Sequence, residues 1–214
     1  NCPSVGNLTV ERSSGLGSGG RCLISGTLTE TATLSAVSEW HLNGPLIIGD
    51  GASSPLLTIE PGVEVFAGKD GSSADYIYVA PGASVNAVGT KASPIILSSD
   101  DDNYQGVGEW GGLIIEDTSA TFGQIRLEYL VVTEAGAEVA VGNKTYADNI
   151  VFDGVHDDTF IQYIQSHDSA RDGIRLTSSG SNPNQARLSW VLITGASRDG
   201  LSYNNFSGLV KDML

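Results

Sequence analysis

The chain has 214 residues and a net charge of −14, which leaves no basic face for phosphate contacts and argues against nucleic acid or an anionic membrane surface as a partner. No apolar run approaches the ~18–20 residues that are needed to span a bilayer. The 27 glycines and the low charged fraction of 17% are typical of many short strands joined by tight turns.

The first segment, residues 1–39, is predicted to be an N-terminal cap. Its two cysteines, Cys2 and Cys22, are interpreted as a disulfide that closes the Gly/Ser-rich loop between them, which indicates an oxidising compartment outside the cell. Two reduced thiols in a cytosolic protein are the alternative. The stretch from Cys22 to Leu34 alternates and is rich in Thr, so it is read as a first, capping coil that protects the open end of a solenoid.

A repeat of about twenty residues organises the segment 56–99. Pro61-Gly62 and Pro81-Gly82 stand at equivalent places, each between two β-rich runs. Proline cannot donate a ladder hydrogen bond and glycine tolerates positive φ, so each pair is predicted to form a corner between strands. Val63 and Val65 are expected on one side of their strand and the glutamate between them on the other. One such coil cannot bury its apolar face, so coils must stack.

The segments CLISGTLTETATL, WHLNGPLIIGDGAS, LTIEPGVEVFAG, SPIILSS and GEWGGLIIED together resemble a group of secreted bacterial right-handed parallel β-helix proteins. That group is distantly similar to the pectate-lyase-like superfamily and mostly lacks an assigned activity. The resemblance implies an all-β, right-handed, single-stranded parallel β-helix over residues 40–214, and secretion. The strand-like pattern of the last residues, GLVKDML, favours a fragment of a longer protein.

An acidic stretch interrupts the repeat and is predicted to be a loop that leaves the helix at 98–112 before the chain re-enters it at Leu113. Its oxygen donors could bind Ca²⁺, although their spacing is not that of an EF-hand, and a solvated acidic turn is the alternative. The candidate ligands are Asp100, Asp101, Asp102 and Asn103. Trp110 is expected to pack as a plug on the coil rather than to serve as a platform for sugars.

Three downstream segments align without gaps, and they place Tyr129, Tyr163 and Trp190 at equivalent positions of successive or nearly successive coils. Because stacked coils lie ~4.8 Å apart, these aromatic rings can form a ladder. Inside the coil the ladder would be core, and outside it could stack on sugar rings or bases. The interior position is favoured, since like residues stacked on like fill solenoid interiors.

A sharper repeat follows, because Arg171-Asp172-Gly173 and Arg198-Asp199-Gly200 are separated by 27 residues. Two aspartates one coil apart would lie about 5 Å from each other and repel. Either the arginines interleave with them or a cation binds between them. Asp168 adds a carboxylate nearby.

Three functions are compatible with these features. The first is a non-catalytic extracellular or cell-surface scaffold that presents loops to a polysaccharide or a surface protein, with pairing of two copies also compatible. The second is a glycan-binding module, with or without Ca²⁺, whose candidate residues are Asp168, Asp172, Asp199, Tyr76, Tyr78 and Tyr104. The third is an enzyme on acidic polysaccharides. As a lyase it would use Asp172 and Asp199 to hold Ca²⁺, and Arg171 or Arg198 to remove a proton; as a hydrolase it would need two suitably spaced aspartates. Fold alone does not confer such an activity, so a non-enzymatic role is favoured.

Overall fold

The computed structural model describes residues 2–13, 21–70, 73–100, 106–117, 123–178 and 183–214. Within these ranges the protein is built from β-strands and turns and contains no helix. It follows that the described part of the chain offers no helix that could cross a membrane.

The strands are short and follow each other closely along the chain. The first ten are β1 (Thr9–Arg12), β2 (Cys22–Leu28), β3 (Ala32–Leu34), β4 (Trp40–Ile48), β5 (Leu56–Ile59), β6 (Glu64–Ala67), β7 (Lys69–Asp70), β8 (Ser73–Ala74), β9 (Ile77–Val79) and β10 (Ser84–Val88). The others are β11 (Ile95–Ser99), β12 (Leu113–Glu116), β13 (Ile125–Thr133), β14 (Val139–Val141), β15 (Lys144–Tyr146), β16 (Ile150–Asp153), β17 (Phe160–His167), β18 (Ile174–Thr177), β19 (Arg187–Thr194), β20 (Leu201–Tyr203) and β21 (Leu209–Met213).

The strands stack in parallel on three faces of one coil. Face 1 contains the first halves of β2 and β4, then β6, β11 and the second halves of β13, β17 and β19. Face 2 contains the second halves of β2 and β4, then β9, β12, β16, β18 and β20. Face 3 contains β3, β5, β10, the first halves of β13, β17 and β19, and β21. The predicted parallel β-helix is therefore confirmed.

The core lies inside the coil and follows from the alternation of each strand. Val63 and Val65 are buried at 0% and 1% exposure whereas Glu64 between them is exposed. On face 2, Leu46, Ile77 and Leu113 stack directly above one another in the interior. Each coil therefore contributes its inward residues to one continuous apolar column, as the sequence pattern predicts.

Both Pro-Gly pairs form corners, as predicted. Gly62 and Gly82 have φ values of 80° and 83°, a left-handed conformation that costs other residues strain. The N–H of Gly62 donates to the carbonyl of Ser93 in the next coil at 3.1 Å. The corners thus turn the chain and contribute to the stacking at the same time.

The N-terminal end is closed by an antiparallel strand and a disulfide. Strand β1 pairs antiparallel with β2, whose other edge pairs in parallel with β4. Cys2 and Cys22 are bonded, with Cα atoms 5.6 Å apart. The predicted disulfide is confirmed, and β1 covers an edge that would otherwise be free to pair.

In the described part of the chain, the short hairpin of β7 and β8 lies between β6 of face 1 and β9 of face 2, and two longer connections between these faces follow it. After the first of these, the chain re-enters face 2 as β12 at Leu113, as predicted. The second, which sequence reasoning missed, contains the antiparallel hairpin of β14 and β15. This hairpin covers the outside of face 2 and forms a second apolar cluster there, consisting of Ala74, Ile114, Ala137, Val139, Tyr146 and Val151.

Candidate functional site

An aromatic ladder runs along the corner between faces 3 and 1. Tyr129, Tyr163 and Trp190 occupy equivalent positions in β13, β17 and β19, and all three have left-handed φ values of 48°, 54° and 57°. This conformation interrupts the alternation of the strand, so both Leu127 and Leu130 point inward while the aromatic residue at the corner points out. The favoured interior position of the ladder is therefore wrong, and the exterior alternative is correct.

The rings of the ladder stack face to face. The ring centroids of Tyr129 and Tyr163 are 4.5 Å apart with planes at 7°, and those of Tyr163 and Trp190 are 6.0 Å apart with planes at 16°. Each ring face that points toward a neighbour in the ladder is therefore covered by that neighbour's ring. Trp190 ends the ladder and is 53% exposed, because Asp212 takes the corresponding corner position in the last coil, with a φ of 53°. The indole is thus the aromatic surface that the ladder offers to a ligand.

An open groove of about 450 Å³ runs beside the ladder over face 1. This volume lies within the range of small-ligand sites. One lysine and one aspartate are the charged side chains of its lining, so these side-chain charges cancel although the chain carries −14. Its lining consists of Lys91, Pro94, Tyr129, Val131, Tyr163, Ile164, Gln165, Trp190, Val191, Leu192, Asp212 and Leu214.

The groove combines flat apolar surface with a few polar groups. A pyranose ring has an apolar C–H face and a rim of hydroxyls, so it can stack on the indole of Trp190 and hydrogen-bond at its edge. Gln165, Lys91 and Asp212 supply an amide, an ammonium and a carboxylate around the groove. The two charged side chains of the lining, Lys91 and Asp212, belong to different coils.

The two Arg-Asp-Gly segments do lie one coil apart. The N–H of Arg198 donates to the carbonyl of Arg171 at 3.0 Å, and that of Gly173 donates to the carbonyl of Asp199 at 2.9 Å. Asp172 is fully buried, whereas the side chain of Asp199 is 59% exposed. The two carboxylates therefore face different environments.

The carboxylate of Asp172 is held by Arg198. The Arg198 Nε donates to Asp172 Oδ1 at 2.6 Å, and its Nη2 and the hydroxyl of Ser202 donate to Oδ2. Burial raises the pKa of Asp172, but the hydrogen bonds from Arg198 and Ser202 outweigh it, so the net shift of the pKa is downward. Arg198 therefore occupies the position beside Asp172 at which a bound metal cation was the alternative prediction. The roles of these residues as ligands or as catalytic groups in a lyase stay predictions.

The same arrangement occurs one coil earlier, and sequence reasoning missed it. The buried carboxylate of Asp148 accepts a hydrogen bond from the N–H of Asp172 at 3.2 Å and lies 3.4 Å from Nη1 of Arg175. Asp148 is not part of an Arg-Asp-Gly triplet, which hid the equivalence. Its signal was the shared pattern of an aspartate two residues before an apolar strand, here before Ile150 as before Ile174.

The comparison with known protein families bears on the first half of the coil. Residues 26–124 match the family model described as a pectate-lyase like beta helix domain. We found no match to the chain among the curated proteins or the solved structures. The aromatic ladder and both Arg-Asp-Gly segments lie beyond the matched residues, so the match concerns the fold and assigns no chemistry to the groove.

Within the matched residues, Asp100 lies against a buried histidine. Its Oδ1 is 2.9 Å from Nδ1 of His41, whose Nε2 is 2.6 Å from Glu39. Burial lowers the pKa of His41, and the hydrogen bonds to Asp100 and Glu39 raise it by more. Asp101, Asp102 and Asn103 lie outside the described residues, as does Tyr104, and the described part of the chain contains no cluster of three metal-ligating side chains. The calcium site at 100–103 stays a prediction.

The other predicted ligand residues lie apart from the groove. Tyr76 and Tyr78 are partly buried beneath the hairpin of β14 and β15, and the hydroxyl of Tyr78 donates to Glu116 at 2.8 Å. Asp168 is exposed at a left-handed position with a φ of 52°. The structure does not bring these three residues together, and their binding roles stay predictions. Trp110, by contrast, is fully buried in the main core and its Nε1 donates to the carbonyl of Thr133 at 2.8 Å.

The matched residues also contain a buried carboxylate, that of Asp117. Asp117 is 3% exposed, and no side chain among the described residues donates a hydrogen bond to its carboxylate. Burial raises its pKa to about 6 and the nearby Asp158 acts in the same direction, whereas His156 and the backbone N–H of Gly123 oppose the shift. The folded protein therefore favours the neutral, protonated form of Asp117.

This shift predicts a pH-dependent cost of folding. The ordinary pKa of this carboxyl group is 3.8, and its pKa in the folded protein is about 6. Its contribution to the free energy of unfolding is therefore most favourable below pH 3.8 and is lost as the pH rises through 6. The total loss is about 3 kcal/mol. Asp117→Asn removes this titration. Urea unfolding of both proteins from pH 4 to pH 7 should show the variant gaining about 2.4 kcal/mol relative to the wild type, because part of the total is already lost at pH 4. A difference that is the same at both ends of the range contradicts the assignment.

Proposed function

We propose that this protein is a non-catalytic β-helix module that acts outside the cell and binds a polysaccharide in the groove beside the aromatic ladder. The observation that carries the proposal is the exposed indole of Trp190 at the end of the ladder, in a groove whose formal charges cancel. Exposed aromatic rings beside polar groups are typical of surfaces that bind sugars. The neutral lining favours a polymer of neutral pyranoses over a polyuronate.

Two further observations support a binding role rather than catalysis, and a location outside the cell. The candidate Ca²⁺ ligand and the candidate base of a lyase are engaged with one another, because Arg198 holds the carboxylate of Asp172. The disulfide between Cys2 and Cys22 is of the kind that persists in oxidising compartments. A stiff coil that carries a binding groove along one corner suits a scaffold at a cell surface.

Intrinsic fluorescence offers a direct test, since the three tryptophans differ in exposure. Trp40 and Trp110 are both 0% exposed while Trp190 is 53% exposed, so a change on ligand binding at the groove must come from Trp190. We expect at least one neutral polymer from a panel of β-glucan, xylan and mannan to change the emission, and polygalacturonate and alginate to bind more weakly. The titrations are run with Ca²⁺ and with chelator, and product absorbance is followed for unsaturated ends.

Trp190→Ala is expected to weaken that binding about tenfold or more, because it removes the stacking surface. Tyr203→Ala is the matched control, since Tyr203 is 71% exposed and lies outside the groove on face 2. Affinity electrophoresis in gels that contain the polymer measures both variants alongside the wild type. Equal retardation of Trp190→Ala and wild type, or no response to any polymer, overturns the proposal, and unsaturated products would replace it with a lyase.

A further inference from the structure

A lysine on the hairpin lies between two carboxylates of face 2. Lys144 on β15 has its Nζ 2.6 Å from Oε1 of Glu116 on β12 and 2.9 Å from Oδ2 of Asp153 on β16. The two carboxylates belong to neighbouring strands of face 2, because Glu116 and Asp153 are paired in register. The hairpin is thereby held against the coil at one point by three side chains.

The surroundings of this cluster are largely closed to water. The side chains of Lys144, Glu116 and Asp153 are 24%, 12% and 1% exposed. The hydroxyl of Tyr146 donates to Asp153 Oδ2 at 3.0 Å and that of Tyr78 to Glu116 Oε2 at 2.8 Å. Apolar side chains pack around them, namely Ile114, Val139, Val141 and Val151. Low water content disfavours hydrolysis of an amide bond and reduces the cost of neutralising an ion pair.

The charges of the cluster supply both reactants and a route for the proton. Burial lowers the pKa of Lys144, and hydrogen bonds to Glu116 and Asp153 raise it by more, so the resting cluster is ionic. One ammonium faces two carboxylates, which leaves one negative charge in excess. Glu116 can therefore accept a proton from Nζ while the freed amine stays within contact of Asp153.

We propose that Lys144 and Asp153 condense to an intramolecular isopeptide bond, with Glu116 as the acid and base that carries the proton. A bond forms between Nζ of Lys144 and Cγ of Asp153, and one Cγ–O bond of Asp153 breaks. The two protons that the ammonium loses leave with that oxygen as water, so the reaction is balanced and requires no oxidant. The Nζ of Lys144 already lies 2.9 Å from Oδ2 of Asp153, an oxygen bonded to the carbon that it would attack.

The bond would fasten the hairpin covalently to the strand that follows it. Such a crosslink would hold β14 and β15 over the apolar outside of face 2 without dependence on salt or pH. This inference is independent of carbohydrate binding, because the cluster lies outside the groove.

The test is the intact mass of the purified full chain, measured under denaturing conditions after reduction of the disulfide. We expect a mass lower than that of the sequence by one water molecule, and a tryptic map in which Lys144 is uncut and joined to the peptide that contains Asp153. A wild-type protein that keeps the full sequence mass after prolonged incubation overturns the proposal. So does a loss of water that maps to other residues.

Three variants separate the roles. Lys144→Arg preserves the positive charge but cannot form the amide, and Glu116→Gln removes the proton carrier; both are expected at full sequence mass with unchanged circular dichroism. Lys211→Arg, which replaces a lysine on β21 outside the cluster and outside the groove beside the ladder, is expected to show the same loss of water as wild type. Complete linkage in Glu116→Gln would refute the role of Glu116. If Lys144→Arg fails to fold, the mass of the wild type still decides whether the bond exists.

Discussion

Arg198→Ala is expected to lower the free energy of unfolding by about 3 kcal/mol or more, although nearly half of the arginine side chain is exposed. The reason lies in its partner, since Asp172 is fully buried and would keep its charge without a counter-ion. The hydroxyl of Ser202 and the N–H of Asp199 would still donate to the carboxylate, but both are neutral donors. Urea unfolding followed by circular dichroism at pH 7 measures the change.

Arg171→Ala is the matched control, because Arg171 occupies the equivalent position one coil earlier and its side chain is exposed. It should change stability by no more than about 0.5 kcal/mol. The effect of Arg198→Ala should also shrink in acid, because the lowered pKa of Asp172 means that its contribution is present at neutral pH and is lost as pH falls. Similar losses in the two arginine variants would show that the ion pair does not stabilise the coil.

Trp110→Ala is expected to be the other severe substitution, at about 3–5 kcal/mol. The indole is 0% exposed within the main core, so its removal leaves a large cavity. It also leaves the carbonyl of Thr133 without the donor that now lies 2.8 Å away. Denaturant unfolding and the near-ultraviolet circular dichroism of the remaining tryptophans check the result.

Two comparisons make this prediction specific. Trp110→Phe fills most of the cavity but lacks the N–H donor, and it should cost less than the alanine variant. Trp190→Ala removes the same side chain from the exposed end of the ladder and should cost no more than about 1 kcal/mol, since it loses only one stacking partner. An equal cost at the two tryptophans would contradict the assignment of Trp110 to the core.

The coil could be predicted from the sequence because its determinants are local. Pro61-Gly62 and Pro81-Gly82 mark corners by their own backbone restrictions, and the alternation around Glu64 assigns the inward side of a strand. Alternation fails at Tyr129 because a left-handed residue resets it. The alternation could therefore not predict whether the ladder lies inside or outside the coil. The sequence alignment did predict that its three rings occupy equivalent positions.

The hairpin over face 2 explains the other difference from expectation. Gly142-Asn143 between two short β-rich runs is a hairpin signal, but it stands within an irregular stretch and was missed. Without that hairpin, Tyr78 looks like an exposed aromatic residue on a regular strand. The ion pair of Asp153 likewise could not be predicted, because only tertiary contacts place Lys144 beside its carboxylate. Sequence periodicity predicts the stacked coils but not the hairpin that packs on their outer surface.

The closed N-terminal end also makes the two ends of the coil differ in their resistance to unfolding by force. The disulfide excludes the chain between Cys2 and Cys22 from any extension under load, a length of roughly 70 Å if it were drawn out. Stacked coils contact only their neighbours, so tension should peel them one at a time from the opposite end. The coil bonded to the disulfide would be the last to yield, and a tether that pulls on this molecule would meet its stiffest part at the N-terminal side.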